Sequence, residues 1–132
     1  EVWQANACGR YRHWRETAFP APLDPNFLGA GRCITDQAGH HRFLTVKLGP
    51  YPWGNHPNAW RPAHTHLSLY GTTWASRLVT QFYFEGDPLL PLDPIYNAVP
   101  AHSRERLIAL YAHDVTEENY ALGYRFDIVL HG

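Results

Sequence analysis

Two histidines separated by one residue, His64 and His66, are the first candidates for chemistry in this sequence. They follow a loop rich in proline, glycine and asparagine, and they open an apolar stretch that predicts a β-strand. Side chains two positions apart in a strand point to the same face of the sheet. Both imidazoles could therefore reach a common metal ion, for which they would supply half of a ligand set.

Arg61 precedes this pair by three residues. An arginine keeps its positive charge in proteins, and a fixed cation beside two histidines disfavours a site that binds only a metal cation. The same cation favours a site that also binds an anion or stabilises negative charge developing on a substrate. The alternative for His64 and His66 is an ordinary pair in a core or on a surface.

The familiar metal motifs with closely spaced histidines do not match. A cupin motif needs a glutamate a few residues after the pair, where this sequence has Tyr70 and Gly71. The site with two histidines and one carboxylate needs an acidic residue nearby, but Thr65 separates the histidines and the predicted strand has no carboxylate. Zinc sites of the His-Glu-x-x-His type need a helix. A metal bound by this pair would therefore need another kind of ligand to complete the set.

Tyrosines are the best candidates for the missing ligands. Tyr51 lies in the loop before the histidines, and Tyr11 follows the first predicted strand. A tyrosine must lose a proton of pKa about 10 to bind a metal, and a hard trivalent cation promotes that loss. Two phenolates and two imidazoles would suit Fe(III).

The elements that must position these residues are mostly strands. Alternating or β-branched residues predict strands at 1–6, 32–35, 40–48, 63–70, 77–84 and 124–130. A turn at 36–39 would join the second and third strands as a hairpin, and another turn is predicted at 71–76. One helix is predicted at 101–113, and long irregular segments at 14–31 and 85–94. We therefore predict one mainly β domain over 1–132, an antiparallel β-sandwich with long loops and one short helix.

Composition excludes several classes of protein. The formal charge of -1 argues against a dedicated nucleic-acid binder, and no apolar run is long enough to span a membrane. Cys8 and Cys33 are too few for a disulfide framework, and two reduced thiols in a cytoplasmic protein are favoured over one bridge. Because the sequence opens within a predicted strand, we expect it to be the C-terminal part of a longer polypeptide.

Several motifs resemble the intradiol ring-cleaving dioxygenases. They are G-R-Y-R-H at 9–13, P-Y-P-W at 50–53, W-R-P-A-H-T-H at 60–66 and Q-F-Y-F-E-G-D-P-L at 81–89. The closing Y-R-F-D-I-V-L-H-G is similar too. The resemblance covers nearly the whole sequence, and it is greatest to the C-terminal part of the iron-bearing subunits that cleave protocatechuate.

This resemblance implies one non-haem Fe(III) per chain. Tyr11 and His66 would be its equatorial ligands, and Tyr51 and His64 its axial ligands. Tyr51 would leave the metal when substrate binds, and its phenolate would then accept a substrate proton.

The resemblance also implies roles for residues around the metal. Arg61 would stabilise charge on the substrate, and Gln81 would lie near the dioxygen side. Trp53 and Ile95 would line the aromatic pocket, and Trp3 would pack behind the iron. For Trp3 and Ile95, a plain core position is the alternative.

The implied reaction joins dioxygen to protocatechuate (3,4-dihydroxybenzoate) and yields 3-carboxy-cis,cis-muconate. A homologous α subunit would be the partner in a large hetero-oligomer. The alternatives are an intradiol enzyme acting on catechol, hydroxyquinol or a sulfonated catechol, a non-catalytic β-sandwich binding module, and a fragment inactive without the rest of its pocket.

Overall fold

The computed structural model of the chain describes residues 1–16, 20–71 and 77–130, so the predicted turn at 71–76 lies, apart from Gly71, outside the described residues. The strands are β1 (Val2–Gln4), β2 (Ala30–Gly31), β3 (Tyr51–Pro52), β4 (Trp60–Arg61), β5 (His64–Tyr70), β6 (Arg77–Phe84), β7 (Ile108–Tyr111) and β8 (Tyr124–Arg125). The α-helices are α1 (Pro94–Ala98) and α2 (Ala101–Arg104). Turns of 3-10 helix occupy Leu90–Leu92, Glu105–Leu107 and His113–Val115.

The chain divides into two compact units. Unit 1 comprises Glu1–Tyr51 and Thr65–Gln81, and unit 2 comprises Pro52–His64 and Phe82–Gly132. The boundary therefore falls inside β5, directly after His64, and inside β6, directly after Gln81.

Unit 1 is built on β1, which pairs antiparallel with β2 on one side and with β5 on the other. Ala5, Leu48 and Leu67 are buried beside these strands. The buried Gln4 amide donates to the carbonyl of Val46 at 3.0 Å, so an irregular segment is fixed to the sheet by a side chain. This sheet sets the position of His66.

Unit 2 is built on the end of β6, which pairs parallel with β7, while β7 pairs antiparallel with β8. Tyr83 and Ala109 are fully buried in these strands. Strand β4 forms a two-stranded sheet with β3, and the amide of Trp53 donates to the carbonyl of Ala59 at 2.9 Å.

The mainly β class is confirmed, and so are the strands predicted at 63–70 and 77–84. The strand predicted at 1–6 forms over Val2–Gln4, and that at 124–130 forms only over Tyr124–Arg125. Phe126, beyond the end of β8, stacks on Phe82 with 4.7 Å between ring centroids. The sequence predicts an antiparallel arrangement of strands. The pair of β6 and β7 departs from it, because these two strands run parallel.

The helix predicted at 101–113 is wrong beyond its first residues. Helix α2 ends at Arg104, and residues 108–111 form β7 instead. Ile108 and Ala109 pair with Tyr83 and Phe84, which buries Ala109 completely. Pairing with a neighbouring strand has overridden a local apolar pattern that also suits a helix.

The predicted hairpin over 32–48 retains its turn but not its strands. The Asp36 amide donates to the carbonyl of His40 at 2.9 Å, and the Asp36 carboxylate accepts from the amides of Ala38 and His40. The flanking residues are irregular, and Ile34 is 96% exposed. Little apolar burial is therefore available to stabilise pairing of the two flanks.

Within the described residues, no helix is long and apolar enough to cross a membrane. Cys8 and Cys33 are free thiols, as predicted.

Candidate active site

Unit 1 brings three of the predicted metal ligands together. The Tyr11 hydroxyl lies 3.1 Å from Nε2 of His66, and the rings of Tyr11 and Tyr51 meet edge to face with centroids 5.7 Å apart. All three side chains are half-buried. One phenol oxygen and one imidazole nitrogen therefore converge, with a second phenol beside them.

The spacing of the first pair fits a shared ion. Two ligand atoms that are each about 2.1 Å from a metal and about 90° apart are separated by about 3 Å. Tyr11 Oη and His66 Nε2 are hydrogen-bonded at 3.1 Å, so the two atoms already lie at a separation that a shared ion would allow. Among the described residues, no group of three or more His, Cys, Asp or Glu could hold a metal ion, so a metal bound at this cluster would need tyrosine oxygens as ligands.

A buried asparagine shapes the loop that carries Tyr11. The Asn6 side-chain oxygen accepts from the amides of Cys8 and Arg10, at 2.9 and 3.0 Å. Its side-chain nitrogen donates to the carbonyl of Pro22, and its main-chain oxygen accepts from Gly49. Asn6 thus turns the chain back after β1 and joins it to the segment that leads to Tyr51.

Gly9 allows the two tyrosine-bearing segments to meet. Its φ angle is +79°, a conformation that side chains disfavour. A Cβ atom at this position would lie 2.2 Å from the Pro50 carbonyl oxygen and 3.3 Å from Cβ of Tyr51. The contact between Tyr11 and Tyr51 therefore depends on a residue without a side chain between them.

Trp3 supports His66 from the neighbouring strand. The two residues are register partners in the antiparallel pair of β1 and β5, so their side chains lie on one face. Their rings stack with centroids 5.0 Å apart and planes inclined by 5°. Trp3 is thus a packing partner of a predicted ligand, and its position behind an iron stays a prediction.

Gln81 is half-buried in β6 and is the last residue of unit 1. Its predicted role on the dioxygen side stays a prediction.

The fourth predicted ligand, His64, lies in unit 2 and is buried. Its Nδ1 is 2.7 Å from the carbonyl oxygen of Pro62. A carbonyl can only accept, so Nδ1 carries a proton, and in the neutral ring Nε2 then carries the lone pair. A backbone carbonyl that fixes the tautomer in this way is usual for histidines that bind metals.

Arg61 is also in unit 2, and it is buried against a buried carboxylate. Its Nε lies 3.2 Å from both carboxylate oxygens of Asp93. The Tyr83 hydroxyl donates to Asp93 at 2.8 Å, and the amide of Ile95 donates at 2.9 Å. Burial, and then the hydrogen bond and charge of Asp93, raise the pKa of Tyr83 far above its ordinary value, although Arg61 acts in the opposite direction. Tyr83 therefore remains a hydrogen-bond donor.

The two predicted pocket residues lie at separate places in unit 2. Trp53 is half-buried next to His56, with ring centroids 5.4 Å apart. Ile95 lies in the first turn of α1 and is 36% exposed. A fully buried core position, the alternative for Ile95, does not apply.

Sequence reasoning missed Asn6, Gly9 and Asp93. For Asp93 a signal was present, because an aspartate followed by proline is a common start of a helix, and Asp93 caps α1 with Pro94 at its first position. Gly9 carries no such signal, because its close contacts at Pro50 and Tyr51 are distant in sequence. Asn6 has local partners in Cys8 and Arg10, but its bonds to Pro22 and Gly49 are distant in sequence.

Comparison with known proteins places the chain in a family. The dioxygenase family model matches residues 1–132. The chain is 64% identical over 132 residues to the protocatechuate 3,4-dioxygenase beta chain of Burkholderia cepacia, covering 100% of this chain and 56% of that relative.

Two further relatives are more distant. Catechol 1,2-dioxygenase 1 of Acinetobacter lwoffii is 36% identical, covering 96% of this chain and 40% of that protein. A chlorocatechol 1,2-dioxygenase of Rhodococcus opacus is 31% identical, covering 70% of this chain and 38% of that protein. The chain thus spans about half the length, or less, of the curated relatives it matches. Its motifs and these matches agree, and the chain belongs to the intradiol ring-cleaving dioxygenase family.

Proposed function

We propose that this chain carries the catalytic site of an enzyme that cleaves protocatechuate with dioxygen between the two hydroxylated ring carbons, forming 3-carboxy-cis,cis-muconate. Both oxygen atoms enter the product, so no external reductant is needed. The observation that carries the proposal is 64% identity over the whole chain to a protocatechuate 3,4-dioxygenase beta chain. The pairing of Tyr11 with His66 gives it a chemical basis.

The family is one of iron-dependent dioxygenases, and we assign one non-haem Fe(III) per chain to Tyr11, Tyr51, His64 and His66. The convergence of Tyr11, Tyr51 and His66 in unit 1 supports three of these ligands. The fixed tautomer of His64, and its position two residues before His66 in β5, support the fourth. When bound, ferric iron supplies a Lewis acid that activates a catechol toward dioxygen.

Tyr51 is the residue we assign as the base. With iron held by the other ligands, a Tyr51 phenolate would be able to accept a proton from a catechol hydroxyl. Tyr51 lies beside Tyr11 but is held by a different segment, the short strand β3. Tyr11 and Tyr51 are therefore held by separate segments of the chain.

Arg61 is assigned to stabilise negative charge on the substrate. Its guanidinium is buried, which strengthens its interaction with a developing anion relative to the same contact in water. The buried Asp93 carboxylate balances its positive charge. Trp53 and Ile95 are assigned to the pocket for the aromatic ring, and Gln81 to the dioxygen side.

We further propose that the chain works in the cytoplasm with a homologous α subunit in a hetero-oligomer. The word "beta" in the name of the Burkholderia relative supports this partner. Free Cys8 and Cys33 fit a reducing compartment.

The test is a visible absorption spectrum of the iron-loaded protein, purified with and without the α subunit, followed by anaerobic addition of protocatechuate. Tyrosinate bound to Fe(III) absorbs in the visible range, and bound catecholate shifts that absorption to longer wavelength. Tyr11→Phe should weaken the colour, whereas Tyr120→Phe, at a 71% exposed site, should not. A colourless protein with full iron occupancy would overturn the ligand assignment.

An intradiol enzyme for unsubstituted or chlorinated catechol is the second candidate, because two such enzymes match the chain at 36% and 31% identity. Oxygen uptake with protocatechuate, catechol and hydroxyquinol separates the candidates. A larger kcat/KM for catechol than for protocatechuate would replace the first proposal with the second.

A further inference from the structure

Asp93 connects two residues that the proposed reaction uses. Its carboxylate is fully buried in unit 2, and it accepts from Arg61, from the Tyr83 hydroxyl and from the Ile95 amide. A buried carboxylate without such partners would be strongly destabilising. Three donors from β4, β6 and α1 therefore meet at one side chain.

The contact with Arg61 controls orientation as well as charge. Because Nε lies 3.2 Å from both oxygens of Asp93, the bond limits rotation of the guanidinium about the end of the side chain. Arginine presents its donors in a planar fork, so fixing Nε also fixes the directions of the other N–H groups. A shift of about 1 Å in a positioning group can cost about 100-fold in rate.

The contact with the Ile95 amide controls the start of α1. Asp93 is the N-cap residue of this helix, and its Oδ1 accepts from Ile95 at 2.9 Å. The main-chain oxygen of Asp93 also accepts from the amide and the side chain of Asn97. The helix has five residues, so the cap restrains a large part of it.

We propose that Asp93 is a positioning residue that sets the direction of the Arg61 guanidinium and the placement of Ile95 together, coupling charge stabilisation to recognition of the aromatic ring. The proposal rests on the proposed dioxygenase function. Two substitutions separate its two parts, because asparagine retains a capping oxygen without the charge, whereas alanine removes both.

Steady-state kinetics with protocatechuate and catechol test the two parts. Asp93→Asn should lower kcat for protocatechuate at least tenfold and leave KM within about twofold, since the cap persists. Asp93→Ala should lower kcat further and also change the ratio of kcat/KM between the two substrates. In both variants the visible spectrum of the ferric protein should match the wild type.

Asp114→Asn is the matched control. Asp114 also pairs with an arginine, Arg125, but both side chains are exposed, so the pair contributes little. Its kinetics should equal the wild type. Wild-type kcat in Asp93→Asn, or a loss of activity that follows a loss of the ferric spectrum, would overturn the positioning role.

If Asp93→Asn does not fold, Tyr83→Phe tests the same network while keeping the ion pair. Removing a donor 2.8 Å from the carboxylate should lower kcat about three- to tenfold. An unchanged kcat in this variant would count against the proposal.

A measurement on the iron-free protein separates the inference from the proposed function. In an arginine-labelled sample, the Nε–H resonance of Arg61 should exchange slowly with water and should lose that protection in Asp93→Asn. Suppose that the variant loses slow exchange and that the wild type turns over no catechol. This result would refute the proposed function but would support the contact between Arg61 and Asp93. Equal exchange rates of the Arg61 Nε–H in the wild type and in Asp93→Asn would refute the positioning role of Asp93.

Discussion

Gly9→Ala tests whether close approach of two segments assembles the tyrosine cluster. The new Cβ would lie 2.2 Å from the Pro50 carbonyl oxygen and 3.0 Å from its carbon, so the backbone at one of the two sites must move by about 1 Å. The φ angle of +79° adds about 1–2 kcal/mol of strain, and overpacking adds about 1–3 kcal/mol. We expect the free energy of unfolding to fall by about 2–5 kcal/mol.

Gly39→Ala isolates the conformational part of this cost. Gly39 has a similar φ of +83°, but a Cβ added there would meet no atom within 4 Å. This variant should lose only about 1–2 kcal/mol. Urea denaturation measures both values, and visible absorption of the iron-loaded proteins reports on the proposed tyrosine ligands. Equal midpoints for the two variants, with unchanged absorption in Gly9→Ala, would refute the reasoning.

Three other changes address the site and its surroundings. Tyr51→Phe should retain iron but slow substrate deprotonation, by about 100-fold or more, in stopped-flow mixing with protocatechuate; normal binding rates would contradict its role as base. Arg61→Ala should keep the visible spectrum and lose turnover by about 100-fold, and full activity would exclude it from charge stabilisation. The raised pKa of Tyr83 means that the unfolded chain loses this proton first as pH rises above the ordinary value of 10.0. Stability should therefore decline with pH above that value, and Tyr83→Phe should remove this part of the slope in denaturation measured across alkaline pH.

How far the sequence predicts the fold depends on how local the deciding interactions are. The strand at 77–84 was predicted with its exact bounds because its β-branched and aromatic residues agree with its environment. Residues 108–111 were assigned to a helix because pairing with β6, which decides their structure, involves residues far away in the sequence. The predicted strands at 32–35 and 40–48 do not form, because a turn alone does not supply the buried apolar face that stabilises a hairpin.

The residues of the candidate site also divide into those that the sequence indicates and those whose arrangement depends on distant contacts. The types and positions of His64, His66, Tyr51 and Tyr11 suggest a metal site from the sequence, and the family motifs assign these four residues as ligands. The means by which Tyr11 reaches His66 cannot be predicted, because it depends on bonds from Asn6 to Pro22 and Gly49, which are distant in sequence. The contact of Arg61 with Asp93 also cannot be predicted from the sequence, because a proline-rich segment separates Asp93 from the strand before it.

The parallel pairing of β6 with β7 has a consequence for folding kinetics. Neighbouring antiparallel strands can close from a short turn, whereas this pair forms only after the whole segment 85–107 has been brought back to the sheet. That segment contains Asp93 and α1. The chain loses conformational entropy when this segment is closed into a loop, before the contacts between β6 and β7 can compensate for that loss. Closure of this loop is therefore a slow step in folding. Residues that bind Arg61 and present Ile95 are therefore expected to become protected from hydrogen exchange late during refolding.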